Sequence, residues 1–321
     1  MADTPDSERQ KTTRVPQPAH PSERSIELPW CHPKPRLEDP TVPDRIARIM
    51  ADASYRQADQ DVDFLNHDDT RGLRLQLDYL KPESLMEEHG IMHSIVVFGS
   101  TRIAEPQAVQ RRVDELTEAL AAAPDDAALA RDLSIAGRVL AKSRYYEVAR
   151  DFARLVGEAE GPHGNRLVVV TGGGPGIMEA ANRGAHETGA RTVGLNITLP
   201  REQYPNPYIT PGLCFRFHYF GLRKLHFLMR ARALVVFPGG YGTLDELFET
   251  LTLIQTRKIT PVPVILVGET FWRKVFDPDF LVEEGVIDPE DRELFWFAES
   301  AEDIWADILR WYELAGRPLT A

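Results

Sequence analysis

The sequence predicts an α/β fold in which a parallel sheet is covered by helices on both faces. Three observations carry this. Apolar runs such as Ser94-Ile95-Val96-Val97-Phe98, Leu167-Val168-Val169-Val170-Thr171 and Ala233-Leu234-Val235-Val236-Phe237 read as strands buried on both sides. Segments of helical period separate them, the alternation expected of a parallel sheet. Each of the three runs ends in a glycine-bearing turn: Gly99-Ser100, Gly172 to Gly176, and Gly239 to Thr243. Glycine turns at strand C-terminal ends place a ligand site along one edge of a doubly wound, Rossmann-like sheet.

The elements follow in order. Nine of the 24 prolines lie within the first 43 residues, so residues 1–40 are expected to form a disordered or extended arm. Within it, Trp30-Cys31-His32 reads as a packing contact, because one Cys-His pair lacks the four ligands of a structural metal site. Residues 41–90 read as a helical N-terminal extension, with helices over 43–57 and 72–89. Asp59, Asp61, Asp63, Asp68 and Asp69 lie between those helices without the glycine and bidentate glutamate of a calcium loop, and are expected to form a solvated acidic face.

The main domain is expected over 91–321. After the strand at 94–98, residues 107–141 read as an inserted helical hairpin broken at Pro124-Asp125-Asp126. A helix over 144–158 leads to the strand at 167–171, and another helix runs to about Gly189. Strands follow at 192–196 and 213–219, a helix from Gly221 to Arg230, the strand at 233–237 and a strand at 262–267. A helix over 300–315 closes the chain.

Composition narrows the function. The chain is 43% hydrophobic, 27% charged and carries a net charge of −12, which opposes nonspecific binding to nucleic acid or anionic membranes. Any phosphate site is therefore expected to be a local pocket. No apolar run approaches a membrane span, and the N-terminus has no signal-like apolar segment. The two cysteines, Cys31 and Cys214, suit reduced thiols in a cytoplasmic protein, Cys214 as a small buried hydrophobe.

The most informative stretch is Pro238 to Glu246, PGGYGTLDE. A buried strand, a glycine turn and a helix start in succession aim unpaired amides and the positive helix end at one spot, which suits a phosphate. Thr243 is expected to cap the helix or to donate its hydroxyl to a phosphate oxygen. Glu246 falls in the first helical turn, where it can face a bound sugar. An acid beside an anion site hinders binding alone, so it points to chemistry. Arg223 and Lys224 sit at a helix start, where cations oppose the helix dipole unless an anion is near. Gly172 to Ile177 fails the dinucleotide fingerprint, with Ile177 in place of its last glycine, and no Walker motif is present.

Taken together, Phe98 to Arg102 (FGSTR), Thr171 to Ala185 (TGGGPGIMEAANRGA), Leu222 to Lys224 and PGGYGTLDE resemble the "Lonely Guy" (LOG) family over roughly residues 94–280. Its phosphoribohydrolases cleave nucleoside 5′-monophosphates, including AMP and cytokinin ribotides, to free base and ribose 5-phosphate. The signature P-G-G-x-G-T-x-x-E is matched throughout, and Leu222 stands where the companion motif usually has Met. The N-terminal ninety residues and the 107–141 insert lie outside the compact plant-type pattern.

The resemblance implies that Arg223 and Glu246 form the catalytic pair and that Gly239, Gly240, Gly242 and Thr243 hold the 5′-phosphate. It implies that Gly99, Ser100 and Arg102 line the first turn, and that Gly173, Gly174, Gly176 and Met178 support the ribose phosphate or the second wall. Lys224 is a further substrate-binding candidate. A homodimer or larger homo-oligomer is implied, with no metal or redox cofactor. The chemistry is consistent: a carboxylate near the anomeric carbon stabilises an oxocarbenium-like state, and a remote phosphate fixes the sugar.

Two rivals stand beside this reading. One is a nucleotide-binding or sensing protein of the same fold without turnover. The other is a pyridoxal-dependent decarboxylase, since relatives of this type often carry the label lysine decarboxylase. That chemistry needs a Schiff-base lysine with cofactor-orienting partners, and no lysine here has that context. His218, Tyr219, Phe220 and His226 are candidates for base stacking or for the core, and Glu179 for a ribose hydroxyl or the surface.

Overall fold

The computed structural model describes residues 18–28, 31–160, 167–199 and 204–320. The chain divides into two units, Met1–Thr70 and Arg71–Ala321. In the first, the described residues up to Pro40 form no helix or strand, and Trp30 of the Trp-Cys-His stretch lies outside the described residues. Helix α1 (Val42–Ala51) and the short helix α2 (Val62–Leu65) follow. The acidic cluster is not uniformly solvated. Asp61 is buried, accepts the Phe64 N–H at the start of α2, and pairs with Arg56 at 3.2 Å. Among the described residues no group of three or more His, Cys, Asp or Glu is placed to hold a metal ion.

The second unit opens with α3 (Arg71–Glu88) and then builds a seven-stranded sheet. Its strands are β1 (His93–Phe98), β2 (Leu167–Thr171), β3 (Thr192–Ile197), β4 (Cys214–Phe217), β5 (Ala231–Val236), β6 (Val264–Val267) and β7 (Trp296–Ala298). Every pairing is parallel, in the order β4-β3-β2-β1-β5-β6-β7. The helices are α4 (Pro106–Ala122), α5 (Ala127–Leu140), α6 (Arg144–Glu160), α7 (Ile177–Glu187), α8 (Phe220–Met229), α9 (Tyr241–Gln255), α10 (Glu269–Val275), α11 (Pro278–Glu283) and α12 (Ala301–Leu314). This is the expected doubly wound α/β architecture. The sequence reading missed α10, α11 and β7, which are too short to carry a clear period.

Alternation along each strand divides the core between two faces. Ile95, Val97, Val169 and Val235 face one way and pack against α6, α7 and α12 through Phe152, Ala181, Ile304 and Ile308. Val96, Phe98, Val170 and Leu234 face the other way, against Phe227 of α8, Leu247 of α9, Trp272 of α10 and Met86 of α3. Both faces are covered, so the central strands are apolar throughout. β4 is an edge strand and alternates: Phe215 and Phe217 are buried, while Cys214 and Arg216 face outward. The expectation that Cys214 is buried is thereby corrected.

The topology fixes where a ligand can bind. From β1 the chain steps through β2 and β3 to β4 on one side, then returns to β5, β6 and β7 on the other. The connections after β1 and β5 thus diverge, and a crevice opens at their C-terminal ends.

Candidate functional site

At that switch point lies a cleft of about 530 Å³, within the range of small-molecule sites. The turn after β1 contributes Gly99, Ser100 and Arg102, and the segment after β2 contributes Gly172 and Met178. Arg223 enters from α8. The turn after β5 and the first turn of α9 contribute Gly239, Gly240, Gly242, Thr243 and Glu246.

The start of α9 has a geometry that suits an anion. Gly240 is the N-cap, and the first helical bond runs from the Leu244 N–H to the Gly240 carbonyl at 3.0 Å. The amides of Tyr241, Gly242 and Thr243 therefore have no acceptor within the helix. Thr243 is not the cap. It lies in the first turn, buried, and its side chain fills the space where a Cβ on Gly239 would stand. Arg102 and Lys142 add positive charge to the wall, so three cations, Arg223 included, face the single carboxylate of Glu246. This local balance opposes the net −12 of the chain.

Arg223 and Glu246 meet across the cleft. The Arg223 Nη2 donates to Glu246 Oε1 at 2.7 Å, and the two side chains are only 12% and 7% exposed. The Arg223 guanidinium lies 5.1 Å from the Phe220 ring centre and 5.4 Å from that of Phe227, a packing that holds its plane. Its buried Nε–H has no hydrogen-bond partner among the described residues, an orphan donor of the kind functional sites carry. Burial pushes the Glu246 carboxyl up to about 7, and neighbouring Asp245 adds to this while Arg223 and Lys224 oppose it. Burial likewise lowers Arg223, against the pull of Glu246. Desolvation thus outweighs mutual attraction for both partners.

Lys224 lies outside the wall. Its ammonium pairs with Asp245 at 2.7 Å and Glu249 at 3.5 Å on α9, one step outside the buried pair. The N-terminal end of α8 is held by α3: Asp78 Oδ2 accepts the His218 and Tyr219 N–H groups, each at 2.8 Å. Farther along α8, His226 is buried between Tyr79 and Phe217, while Arg230 makes a bidentate pair with Glu83 of α3 at 2.6 and 2.8 Å. None of His218, Tyr219, Phe220 and His226 lines the cleft.

Gly173, Gly174 and Gly176 belong to the turn rather than to the wall. Gly176 has φ +74°, and a Cβ there would lie 2.5 Å from the Ser100 carbonyl oxygen. The Ile177 N–H donates to that same carbonyl, at 3.2 Å, so the two turns are locked together. A buried polar network secures the other side. Thr171 Oγ1 and Asn206 Nδ2 both donate to Asn182 Oδ1, at 2.7 and 2.9 Å. Asn206 also donates to the carbonyls of Gly173 and Gly174. Glu179 accepts from Tyr146 Oη at 3.0 Å, away from the cleft.

The sequence reading did not single out Ile103, Val139, Lys142 or Phe271, which also line the cleft. Three of them, Ile103, Val139 and Lys142, flank or belong to the insert at 107–141. The available signal is the insert's placement directly after the β1 turn.

Comparison with known proteins identifies the family. A family model described as possible lysine decarboxylase matches residues 178–308. The probable cytokinin riboside 5′-monophosphate phosphoribohydrolase LOGL5 of Oryza sativa subsp. japonica is 32% identical over 140 residues, 43% of this chain and 56% of that one. Cytokinin riboside 5′-monophosphate phosphoribohydrolase LOG3 of Arabidopsis thaliana is 30% identical over 172 residues, 51% of this chain and 74% of that one. The chain belongs to the LOG family. It thus spans little more than half of its rice LOG relative and about three quarters of the Arabidopsis one. Among solved structures, the structural-genomics target TM1055 aligns with a TM-score of 0.41 at 19% identity, over 68% of this chain and 98% of that one. The molybdenum cofactor binding protein of Rippkaea orientalis aligns at 0.37 and 16%, over 68% and 94%. Such loose superpositions add nothing to the topology described above.

Proposed function

We propose that this LOG-family chain hydrolyses the N-glycosidic bond of a nucleoside 5′-monophosphate, AMP or a cytokinin ribotide, to free base and ribose 5-phosphate. The observation that carries the reading is the buried Arg223–Glu246 pair facing the same cleft as the α9 N-terminus. The amides of 241–243 and the Thr243 hydroxyl hold the 5′-phosphate, with Arg102 and Lys142 supplying charge. The phosphate seats the ribose over Glu246. As the C1′–N bond breaks, its electron pair goes to the base nitrogen and positive charge develops on the sugar ring. The Glu246 carboxylate stabilises that charge and takes a proton from the water that adds to C1′. The departing base takes its proton from solvent and Glu246 later returns its proton to solvent, so that one water is added across the C1′–N bond. Arg223 is too basic to be the acid, so it orients the carboxylate and polarises the substrate.

A carboxyl raised to about 7 suits this role, because a base works best when its pKa lies near the working pH. The decarboxylase description fits these residues poorly. Lys224 is held by two carboxylates, and Lys142 donates to the Arg138 carbonyl at 3.0 Å. Neither amine has the partners that would orient a pyridoxal ring. The assembly proposed with this reading is a homo-oligomer, at least a dimer.

The test is incubation with AMP, with free adenine read by chromatography. Turnover by the wild type, lowered about 10²–10⁴-fold in Glu246→Ala, is the expected result. Binding without any release of base would leave the sensing role instead.

A further inference from the structure

A separate cavity lies against the edge of the sheet, at β3 and β4. Its volume is about 380 Å³, within the range of small-molecule sites, and it shares no lining residue with the cleft. Parallel pairing sets Asn196 of β3 beside Arg216 of β4, with Cys214 two residues back on the same face. Asn196 is only 7% exposed. Its Oδ1 meets the Cys214 thiol at 3.9 Å and stands where a Cβ on Gly173 would lie, so the carboxamide is held in place. Its Nδ2 finds no acceptor among the described residues, although Asn196 lines the cavity. A buried amide donor without an acceptor is costly, and a ligand that accepts from it removes the cost.

The lining selects the ligand. Arg216 is exposed and pairs with no acid among the described residues, in a chain of net charge −12. None of the described residues that line the cavity is acidic. A guanidinium fork beside an amide N–H matches a planar carboxylate. One cation suits one negative charge, whereas a phosphate ester carrying about −2 calls for more. Ile197, Leu199 and Pro205 supply apolar wall, so the body of the molecule is apolar. We propose that this cavity is a second ligand site, for a small organic acid whose carboxylate is held by Arg216 and the Asn196 amide and whose short apolar body lies against Ile197, Leu199 and Pro205. Asn196 packs on Gly173, and Gly172 lines the cleft, so the two sites border the same turn after β2. The second site stands whatever reaction the cleft performs.

Cys214 lines the cavity and its thiol is free, so its alkylation reports occupancy. The test is the rate at which iodoacetamide labels Cys214 in the folded full chain, read by peptide mass spectrometry. Cys31, exposed in the first unit, is the internal reference. The probes are hexanoate and its uncharged counterpart hexanamide. At about ten times its Kd, hexanoate is expected to slow the labelling of Cys214 by about tenfold and to leave Cys31 unchanged. Hexanamide is expected to protect neither. Arg216→Gln removes the cation, and Asn196→Asp sets a like charge against the ligand at nearly constant shape. Each is expected to weaken protection by hexanoate at least about tenfold. The Arg216 side chain is exposed and unpaired among the described residues, so its variant keeps the fold even should the Asn196 variant lose it. No protection by hexanoate, equal protection by hexanamide, or protection undiminished in Arg216→Gln overturns the site.

Discussion

Glu246 sits at the point where two electrostatic effects compete. Burial pushes its carboxyl up to about 7 although a guanidinium lies 2.7 Å away. The kcat/KM profile for AMP is therefore expected to rise with pH through an acid limb near that value. Its neighbours should move the limb in opposite directions. Asp245→Asn removes a negative charge that raises Glu246, so the limb moves to lower pH. Lys224→Gln removes a positive charge that lowers it, so the limb moves to higher pH. Parallel shifts of the two variants would show that Lys224 and Asp245 do not act through Glu246. Stability follows the same titration. A carboxyl raised in the folded state contributes stability that is fully present below its unfolded value, near 4.5, and is lost as pH rises through about 7. Glu246→Gln mimics the protonated acid. Its unfolding midpoint in urea should match the wild type near pH 4.5 and exceed it at pH 8, while kcat falls about 10²–10⁴-fold.

At the scale of elements, the site depends on how α8 is aimed. The helix begins at Phe220, and one turn later Arg223 enters the cleft, with Phe227 a further turn on beneath its guanidinium. Asp78 of α3 fixes that start by accepting two N–H groups. Asp78→Ala should cost about 1.5–3 kcal/mol, the range for hydrogen bonds to a charged group, seen as a lower denaturant midpoint. It should also lower kcat more than it raises KM, because the phosphate seat on α9 is untouched. An unchanged kcat would mean that α3 supports the helix without aiming it. This support was not legible in the sequence, since Asp78 and His218 lie 140 residues apart and a lone aspartate carries no pattern. The α9 turn was legible, because strand, glycines and helix follow one another directly along the chain. Of the two roles the same local logic offers Thr243, capping the helix or donating to a phosphate oxygen, the first is not met. Gly240 starts the helix instead, so its first turn begins three residues earlier than the hydroxyl.

For the whole molecule, the proposed assembly is testable without reference to activity. Sedimentation equilibrium at micromolar concentration is expected to give a mass of at least twice that of one chain. A monomer with full nucleosidase activity would show that one chain suffices. Among the described residues, no helix is long and apolar enough to cross a membrane. The sequence by itself determined the central strands of the sheet, the glycine turn at the start of α9 and the family signature, because apolar runs, glycine turns and PGGYGTLDE are patterns of neighbouring residues. Only the tertiary structure decided that Arg223 and Glu246, 23 positions apart, meet in one buried pair, and that the insert contributes Val139 to the wall of the same cleft. Proximity and burial arise from packing between distant segments. They set the protonation of Glu246 and the shape of the cleft, and a linear pattern records neither.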